Sequence, residues 1–426
     1  MHYTTTTAQF SCLTKDSRIG MATKAIFSEV KNSGMGFWSV LGFFGLLVLV
    51  GAWAFNTMHH AGHYITGMNN QVVWGLPHVF AIFLIVAASG AANIATIGTV
   101  FGKKIYQPLG RLSAFLAAAL LVGGLIVLLL DLGSIGHVIE MAKGALNFKS
   151  VFAWNMILYS GFIGIIAVYL WTMMDRNKLA KSLYKPVGVM NMVWRFALTM
   201  GTGSIFGFLV ARQYYDAAIL APLFIAASYV FGTAIYALVL MASFKLTGRE
   251  LGNAVLNRLR HTLAIFIAMV LFLEIARHLT NLYATEHHAV EAYILTGDSI
   301  FTSLFWYGQI LMGSLIPMFL IWCRYLKNNR MALVTAAVLA ILGGFAQIYV
   351  ILIGGQSFPL VLFPNAEVSS TYFDGVNNVY SATLPEFLLG LGGIGLAIFL
   401  LIVGMKVLRL LPTSLADDVA DPHHSS

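Results

Sequence analysis

The chain has 426 residues, of which 59% are hydrophobic and 10% are charged. Because soluble domains carry about 25% charged residues, this composition excludes a soluble globular protein and indicates a polytopic membrane protein. The formal net charge of +8 bears on membrane orientation and does not indicate nucleic acid as a partner. The two cysteines, Cys12 and Cys323, are too few to form a metal site.

Ten runs of apolar residues are long enough to cross a membrane as helices, which takes about 20 residues. The sequence therefore predicts an all-α fold with about ten transmembrane helices in residues 35–410. Residues 1–34 and 411–426 are predicted to lie outside the membrane, the latter as a disordered tail. The runs occupy residues 37–56, 73–101, 112–133, 151–174, 188–211, 217–243, 260–281, 300–323, 331–354 and 385–408.

The basic residues are distributed unequally between alternate loops. Twenty of the 25 lysines and arginines fall in the two terminal segments and every second loop, whereas the remaining loops hold only Lys143, Lys149 and Arg212. The positive-inside rule then predicts that both termini are cytoplasmic. The opposite loops, at 56–72, 282–299 and 355–384, are interpreted either as a docking surface for an extracytoplasmic subunit or as a solvated cap.

The stretch from Asn69 to Gly133 contains two predicted spans joined by a basic turn. His78 stands near the start of the first span and Asp131 near the end of the second. Because consecutive spans run antiparallel, both side chains are expected at the same membrane face. An ionisable group inside a span costs about 3 kcal/mol or more, so it is by default a candidate functional group.

A second polar constellation lies in the seventh predicted span. Glu274, Arg277 and His278 are spaced i, i+3 and i+4, which places them on one face of a helix. We interpret Glu274 and Arg277 as a structural ion pair, with proton transfer as the alternative role for this group. Arg195 stands apart, near the cytoplasmic end of the fifth span.

The polar residues at the outer face suit quinone chemistry. A quinone exchanges protons at two oxygens as electrons move, which requires a carboxylate or an imidazole within hydrogen-bond reach. Asp131 and His78 are the candidate catalytic residues. Trp74, Asn155 and Tyr159 are expected to line the pocket with them, because small-molecule sites combine aromatic walls with a few polar groups.

Resident redox centres are not expected in this chain. A bis-histidine haem needs paired histidines on facing helices, and only His78 and His278 qualify by position. An iron–sulfur cluster needs cysteine ligands that the chain lacks. The sequence therefore predicts a quinone-binding subunit without haem, iron–sulfur cluster or metal site, to which another subunit supplies or removes electrons.

Three motifs in residues 66–133 resemble the NrfD/PsrC family of quinone-interacting membrane subunits: TGMNNQVVWGLP, AASGAANIATIGTVFG and LLLDLG. The resemblance implies two four-helix bundles, at about 73–211 and 217–354, between two flanking helices. It implies a bacterial or archaeal cytoplasmic membrane protein that binds menaquinone or ubiquinone as substrate. It also implies a ferredoxin-like iron–sulfur partner on the extracytoplasmic side, a multihaem cytochrome c and further subunits of a complex.

Within this family the combination of motifs resembles the membrane subunit of a sulfite-reductase-associated complex. One departure from the family pattern follows LLLDLG, where many relatives continue with Arg-Pro and this chain has Ser134 and Ile135. Lys143 or His137 is the candidate substitute for that arginine.

Two other functional classes remain open at this stage. Repeated bundles and charges inside spans also fit a secondary transporter, for which helices broken near the membrane centre are typical. A purely structural membrane anchor is the third possibility, but it would leave Asp131 without an explanation.

Overall fold

The molecule is built almost entirely of long helices. The computed structural model describes residues 26–30, 34–132, 140, 147–360 and 376–420. Strand structure in these ranges is limited to two strands of two residues, which confirms the predicted all-α fold. The long helices are α1 (Met35–Ala61), α2 (Leu76–Thr99), α3 (Gly110–Asp131), α4 (Val151–Met174), α5 (Lys178–Gly207), α6 (Leu220–Thr247), α7 (Asn253–Tyr283), α8 (Ile300–Trp322), α9 (Arg330–Ser357) and α10 (Leu384–Val407).

Among the described residues, nine helices are long and apolar enough to cross a membrane, and α5 is long enough but more polar. Helix α5 carries Lys178, Lys181 and Lys185 in its first turns. It begins ten residues before the predicted span at 188, and α7 begins seven residues before the predicted start at 260. These helices begin earlier than the predicted spans because an apolar run marks only the part of a helix that lipid covers. Lysine is a good helix former, so the helix can extend beyond that run.

Eight of the long helices form two rings of contacts. In bundle one, α2, α3, α4 and α5 contact one another in order, and α5 returns to α2. In bundle two, α6, α7, α8 and α9 do the same, and α9 returns to α6. The two bundles meet where α2 packs against α6 and α9, and where α5 packs against α6. Helix α10 covers α2 and α3, and α1 packs on α10.

The contact between α2 and α6 depends on two glycines. A methyl group at Gly90 would overlap the backbone carbonyl of Ser228, and one at Gly232 would overlap the backbone of Gly90. The two backbones can approach this closely only because glycine has no Cβ. Small residues at such contacts are typical of helix packing in membranes. This contact fixes the position of bundle one relative to bundle two.

The two terminal segments meet at one end of the molecule, here called the termini end. Strand β1 (Phe27–Ser28) pairs antiparallel with β2 (Leu411–Pro412). Arg249 donates hydrogen bonds to the carbonyls of Leu411 and Pro412 at 3.0 and 2.9 Å, and Asp417 accepts one from the backbone of Ala254 at 2.8 Å. The prediction of a disordered tail is therefore wrong for residues 411–420, because these contacts hold the segment against α7.

Candidate functional site

The opposite end, here called the His78 end, brings together the two residues that the sequence analysis placed at one face. His78 lies in the first turn of α2 and Asp131 is the last residue of α3. The Nδ1 atom of His78 is 2.5 Å from Oδ2 of Asp131. The Asp131 side chain is fully buried, and that of His78 is 12% exposed. The histidine is therefore the member of the pair that an outside molecule can reach.

One polar atom of this pair has no hydrogen-bond partner. His78 Nδ1 and Asp131 Oδ2 contact each other, whereas Asp131 Oδ1 is buried without a partner among the described residues. Buried polar atoms are nearly always hydrogen-bonded in native proteins. An incompletely satisfied carboxylate beside an accessible imidazole is the arrangement expected where a ligand completes the hydrogen bonding and exchanges a proton.

Aromatic rings lie beside His78. The indole of Trp74 has its ring centroid 6.4 Å from the His78 ring, 5.7 Å from Phe152 and 5.8 Å from Phe206. Tyr215 lies 6.5 Å from Trp74 in a stacked orientation. These residues come from the segment before α2, from α4, from α5 and from the segment before α6. They form an apolar wall next to the His78–Asp131 pair.

The backbone of Trp74 is held by the end of α9. Gln356 Oε1 accepts hydrogen bonds from the N–H groups of Val73 and Trp74, both at 3.0 Å, and its Nε2 donates to the Trp74 carbonyl at 3.0 Å. Arg212 donates to the carbonyls of Gln356 and Gln71 at 2.8 and 2.7 Å. Bundle two thus positions an aromatic side chain beside the polar pair of bundle one.

Asn155 and Tyr159, the other two predicted lining residues, use their polar groups to join α4 to α5. Asn155 Nδ2 donates to the carbonyls of Val151 and Gly201 at 2.9 and 3.0 Å. The Tyr159 hydroxyl lies 3.0 Å from Thr202 Oγ1. Asn155 Oδ1 is buried without a hydrogen-bond partner among the described residues. Asn155 therefore retains one free acceptor, whereas Tyr159 is engaged in helix packing.

Another carboxylate at the His78 end, that of Glu386, holds neighbouring segments of the chain together. It is fully buried, and its Oε2 accepts hydrogen bonds from the Gly67 N–H at 2.9 Å and the Thr383 N–H at 2.8 Å. The Tyr380 hydroxyl donates to Oε1 at 2.8 Å and accepts from the Leu76 N–H at 2.7 Å. Glu386 and Tyr380 thus fix the start of α2, two residues before His78.

The second constellation, in bundle two, contains more than an ion pair. Glu274 Oε1 accepts hydrogen bonds from the side-chain amides of Gln309 and Gln347, both at 2.7 Å. Its Oε2 lies 3.8 Å from Arg277 and 3.6 Å from His278 Nε2. Both distances exceed the usual hydrogen-bond range of about 2.7–3.2 Å. The amides of α8 and α9 are therefore the nearest partners of Glu274.

The other side of the His278 ring binds a residue outside the long helices. His278 Nδ1 is 2.6 Å from Oε2 of Glu291, which lies on a short helix, His288–Leu295, and the Asn281 amide donates to Oε1 of Glu291 at 2.7 Å. Burial raises the pKa of Glu291, but the hydrogen bonds and charge of His278, with smaller effects of Asn281 and Arg277, outweigh it and lower the pKa from its usual value. We call Glu274, Arg277, His278 and Glu291 the bundle-two cluster.

A local change of helix geometry accompanies this cluster. Residues Leu304–Leu315 of α8 and Val350–Gly354 of α9 have π-helical hydrogen bonding. Gln309 lies within the first segment. Such segments are uncommon and often occur at functional sites. A cavity of about 10 Å³, which is room for about one water molecule, lies between α6, α7, α8 and α9 and is lined by Gln309, Ser314 and Gln347 among apolar residues.

Arg195 lies inside bundle one, apart from both sites. It is 1% exposed. Its guanidinium donates to Asn93 Oδ1 at 2.8 Å and to the Ser89 carbonyl at 3.4 Å, which joins α5 to α2. A guanidinium that crosslinks two buried helices through neutral acceptors is consistent with a structural role.

Some sequence predictions fall outside the described residues, namely those for Ser134, Ile135, His137 and Lys143. The two histidines considered as haem ligands, His78 and His278, each face a carboxylate. Five residues that the structure places at the site were not expected there from the sequence: Phe152, Phe206, Arg212, Tyr215 and Gln356. Only Arg212 carried a signal, as one of three basic residues on the side with few positive charges.

Comparison with known proteins assigns a family to this arrangement. A family model described as polysulphide reductase, NrfD, matches residues 64–360. The chain belongs to the NrfD family. This match covers both bundles and the His78–Asp131 pair, and the resemblance noted in residues 66–133 is thereby confirmed.

Relatives of this NrfD-family chain match nearly its whole length. The Hdr-like menaquinol oxidoreductase integral membrane subunit of Archaeoglobus fulgidus is 24% identical over 93% of this chain and 99% of its own length. A selenate reductase subunit of Mesobacillus selenatarsenatis is 24% identical over 87% of this chain and 93% of its own. A putative dimethyl sulfoxide reductase membrane subunit of Halobacterium salinarum is 24% identical over 91% of this chain and 94% of its own.

Proposed function

We propose that this chain is the membrane subunit of a redox complex and exchanges electrons and protons between membrane quinone and a partner subunit. The observation that carries the proposal is the contact of the partly exposed His78 with the fully buried Asp131, 2.5 Å apart, beside the Trp74 ring. The site lies at one end of a bundle of membrane-spanning helices, so a lipid-soluble substrate can approach it from the bilayer. The names of the relatives, one of them a menaquinol oxidoreductase subunit, agree with this substrate.

The pair would act on the protons of the quinone head. Oxidation of a quinol releases two electrons and two protons, and reduction of a quinone takes up the same numbers. The exposed part of His78 would hydrogen-bond a hydroxyl of the head and pass its proton to Asp131, the buried acceptor behind it. Proton transfer by a positioned group of this kind contributes about 10²- to 10⁴-fold to rate.

The ring of the quinone would rest against the aromatic wall. The Trp74 ring has its centroid 5.7 Å from that of Phe152 and 5.8 Å from that of Phe206, so the three rings offer both faces and edges. Asn155 follows Phe152 by one helical turn on α4, and its unpaired Oδ1 is available to accept a hydrogen bond from a quinol. Menaquinone is the preferred candidate because the relative from Archaeoglobus fulgidus is named a menaquinol oxidoreductase subunit, and ubiquinone is the alternative.

The electrons would pass to or from another subunit at the His78 end. The family resemblance favours a ferredoxin-like iron–sulfur protein there, with a multihaem cytochrome c and further subunits in the complex. The relatives are named for reductases of selenate and dimethyl sulfoxide and for a menaquinol oxidoreductase. We infer that membrane subunits of this family serve complexes that act on different terminal substrates. The resemblance to a sulfite-reductase-associated subunit favours a sulfur compound as the terminal substrate here.

The proposed location is the cytoplasmic membrane of a bacterium or archaeon, with the His78 end extracytoplasmic. The guanidinium groups of four arginines donate to backbone carbonyls at the termini end, namely Arg111, Arg249, Arg260 and Arg330. The Arg409 side chain pairs there with Glu29. A concentration of arginine at one end is the signature of the cytoplasmic side. Both termini would therefore be cytoplasmic.

A secondary transporter remains the second candidate, but the helices argue against it. Transporters of the repeated-bundle type use helices that unwind near the membrane centre to bind substrate. In the described residues, α2 to α7 and α10 are continuous α-helices, and the π-helical segments of α8 and α9 keep the chain helical.

Photolabelling would test the proposed quinone site. A photoreactive quinone analogue is added to the assembled complex in lipid, and labelled peptides are mapped with and without competing menaquinone. The expected labels fall on Trp74, on the first turn of α2 and on the first two turns of α4. Labels that resist competition, or that fall on α7 and α8 around Glu274, would contradict the proposal.

A further inference from the structure

The bundle-two cluster has an arrangement of charges that an ion pair alone does not explain. Three of its members, Glu274, Arg277 and Glu291, are at most 2% exposed, and His278 is 7% exposed. Two carboxylates and one guanidinium sum to one negative charge when all are ionised. An uncompensated charge in a buried site of low dielectric is costly, so buried charges are normally paired or neutralised.

Among the described residues, the group that can neutralise this charge is the His278 imidazole. From the other elements packed around the cluster, α8 presents Gln309 and the Phe305 ring, and α9 presents Gln347, all of them neutral. The segment before α6 presents Tyr214, whose ring faces Arg277 at 4.1 Å and whose backbone carbonyl accepts a hydrogen bond from it at 2.8 Å. Neutrality therefore requires one additional proton on the cluster.

The geometry allows that proton to move. The His278 ring stands between the carboxylates, with Nδ1 2.6 Å from Glu291 and Nε2 3.6 Å from Glu274. His278 Nε2, Glu274 Oε2 and Arg277 NH1 are buried and lack hydrogen-bond partners among the described residues.

We propose that the bundle-two cluster binds one exchangeable proton, which is held on His278 between the two carboxylates on either side of it. The His278 side chain is 9% exposed, which gives this proton a point of exchange with the surroundings. On the other side of Glu274 the cavity has room for about one water, and none of the residues that line it is ionisable. The cluster is thus a site that stores a proton at one end of bundle two. The proposal does not depend on quinone binding in bundle one.

Infrared spectroscopy of the full chain in lipid can test this charge count. Histidine with an isotope-labelled ring shifts the imidazole bands, and subtraction of the His278→Asn spectrum isolates those of His278. We expect the bands of an imidazolium in the wild-type protein at neutral pH. A neutral His278 in the wild-type protein at neutral pH would overturn the proposal directly.

Variants of the carboxylates sharpen the test. Glu274→Gln or Glu291→Gln removes one negative charge, so the cluster is neutral without the additional proton, and the imidazolium bands should be lost at neutral pH. The double variant Glu274→Gln/Arg277→Gln removes one charge of each sign, so the bands should return. Glu286→Gln, in an exposed carboxylate near the same short helix, is the matched control and should leave the bands unchanged.

A purely structural role of Glu274 and Arg277 predicts a different result for these variants. If Glu274 and Arg277 only hold helices together, the double variant should be destabilised at least as much as Glu274→Gln. The imidazole bands of His278 should then be the same in both variants. Imidazolium bands that persist in both single variants, or that fail to return in the double variant, would overturn the proposal. If one single variant does not fold, the other single variant and the wild-type spectrum still decide the outcome.

Discussion

Gln356 holds the backbone of Trp74 from both sides, accepting a hydrogen bond from its N–H at 3.0 Å and donating one to its carbonyl at 3.0 Å. The two residues belong to different bundles, and Gln356 is 1% exposed. The side chain that forms the wall of the proposed quinone site is therefore positioned by the last turn of bundle two. Gln356 is a positioning residue rather than a catalytic one.

Replacing this residue should weaken quinone binding without removing the proton acceptor. Gln356→Met keeps the approximate length of the side chain but leaves the partly buried N–H and C=O groups of Trp74 without this partner, each at a cost of about 1 kcal/mol. We expect the KM for quinol to rise by about tenfold, which corresponds to about 1.4 kcal/mol, with kcat within about twofold of the wild type. A fall in kcat at unchanged KM in steady-state assays of the complex would contradict this positioning role.

The buried carboxylate beside His78 should be required for turnover. Asp131→Asn keeps the shape of the side chain and removes the titratable proton acceptor, so quinol-linked turnover should fall by about 100-fold or more while the complex still assembles. Asp298→Asn, in an exposed residue at the same end of the molecule, is the control and should retain full activity. Wild-type quinol oxidation by an assembled Asp131→Asn complex would reduce Asp131 to a structural residue.

Acid should destabilise the short helix that carries Glu291. Its pKa is lowered from the usual value of about 4.5, so ionised Glu291 stabilises the folded state above that pH, and this contribution is lost as the pH falls through the lower folded-state value. Glu291→Gln should therefore lower stability at neutral pH by about 1.5–3 kcal/mol and flatten the acid limb of a plot of Tm against pH. Glu286→Gln should leave that limb unaltered; an unaltered limb in Glu291→Gln would contradict the assignment.

The glycine contact between the bundles should tolerate no added side chain. Gly90→Ala introduces a methyl group where the Ser228 carbonyl lies, and overpacking of this kind costs about 1–3 kcal/mol. We expect a lower Tm for the purified chain in lipid or detergent. The matched control is Gly164→Ala on α4, where an added methyl group meets nothing within 4 Å and stability should rise by about 0.5–1 kcal/mol. Equal effects of both substitutions would argue against the close contact of α2 and α6.

The proposed orientation is open to a direct measurement. A reporter fused after Ser426 and one inserted at the exposed Asp298 lie on opposite sides of the membrane if the termini end is cytoplasmic. The physical reason is the asymmetry of lysine and arginine between alternate loops. We expect a cytoplasm-active reporter to work only after Ser426 and an export-active one only at Asp298, and activity of the same reporter at both positions would exclude this topology.

The sequence by itself determined the class of the protein and the location of its main polar pair. Apolar runs of about 20 residues predict transmembrane helices because the bilayer imposes that length, and the antiparallel course of α2 and α3 predicts that His78 and Asp131 meet. Helical spacing likewise placed Glu274, Arg277 and His278 on one face. These are local properties, which a single sequence encodes directly.

The tertiary structure decided the partners that come from other helices. Glu274 binds Gln309 and Gln347 more closely than Arg277, and the partner of His278 is Glu291, a residue that the sequence analysis left in a loop. Gln356 reaches Trp74 from the far end of the chain. Such contacts depend on how each helix is rotated and how closely it approaches its neighbours, which glycines such as Gly90 and Gly232 set through backbone contact. Periodicity along one helix carries no information about the rotation of the next, so only the folded structure could supply these partners.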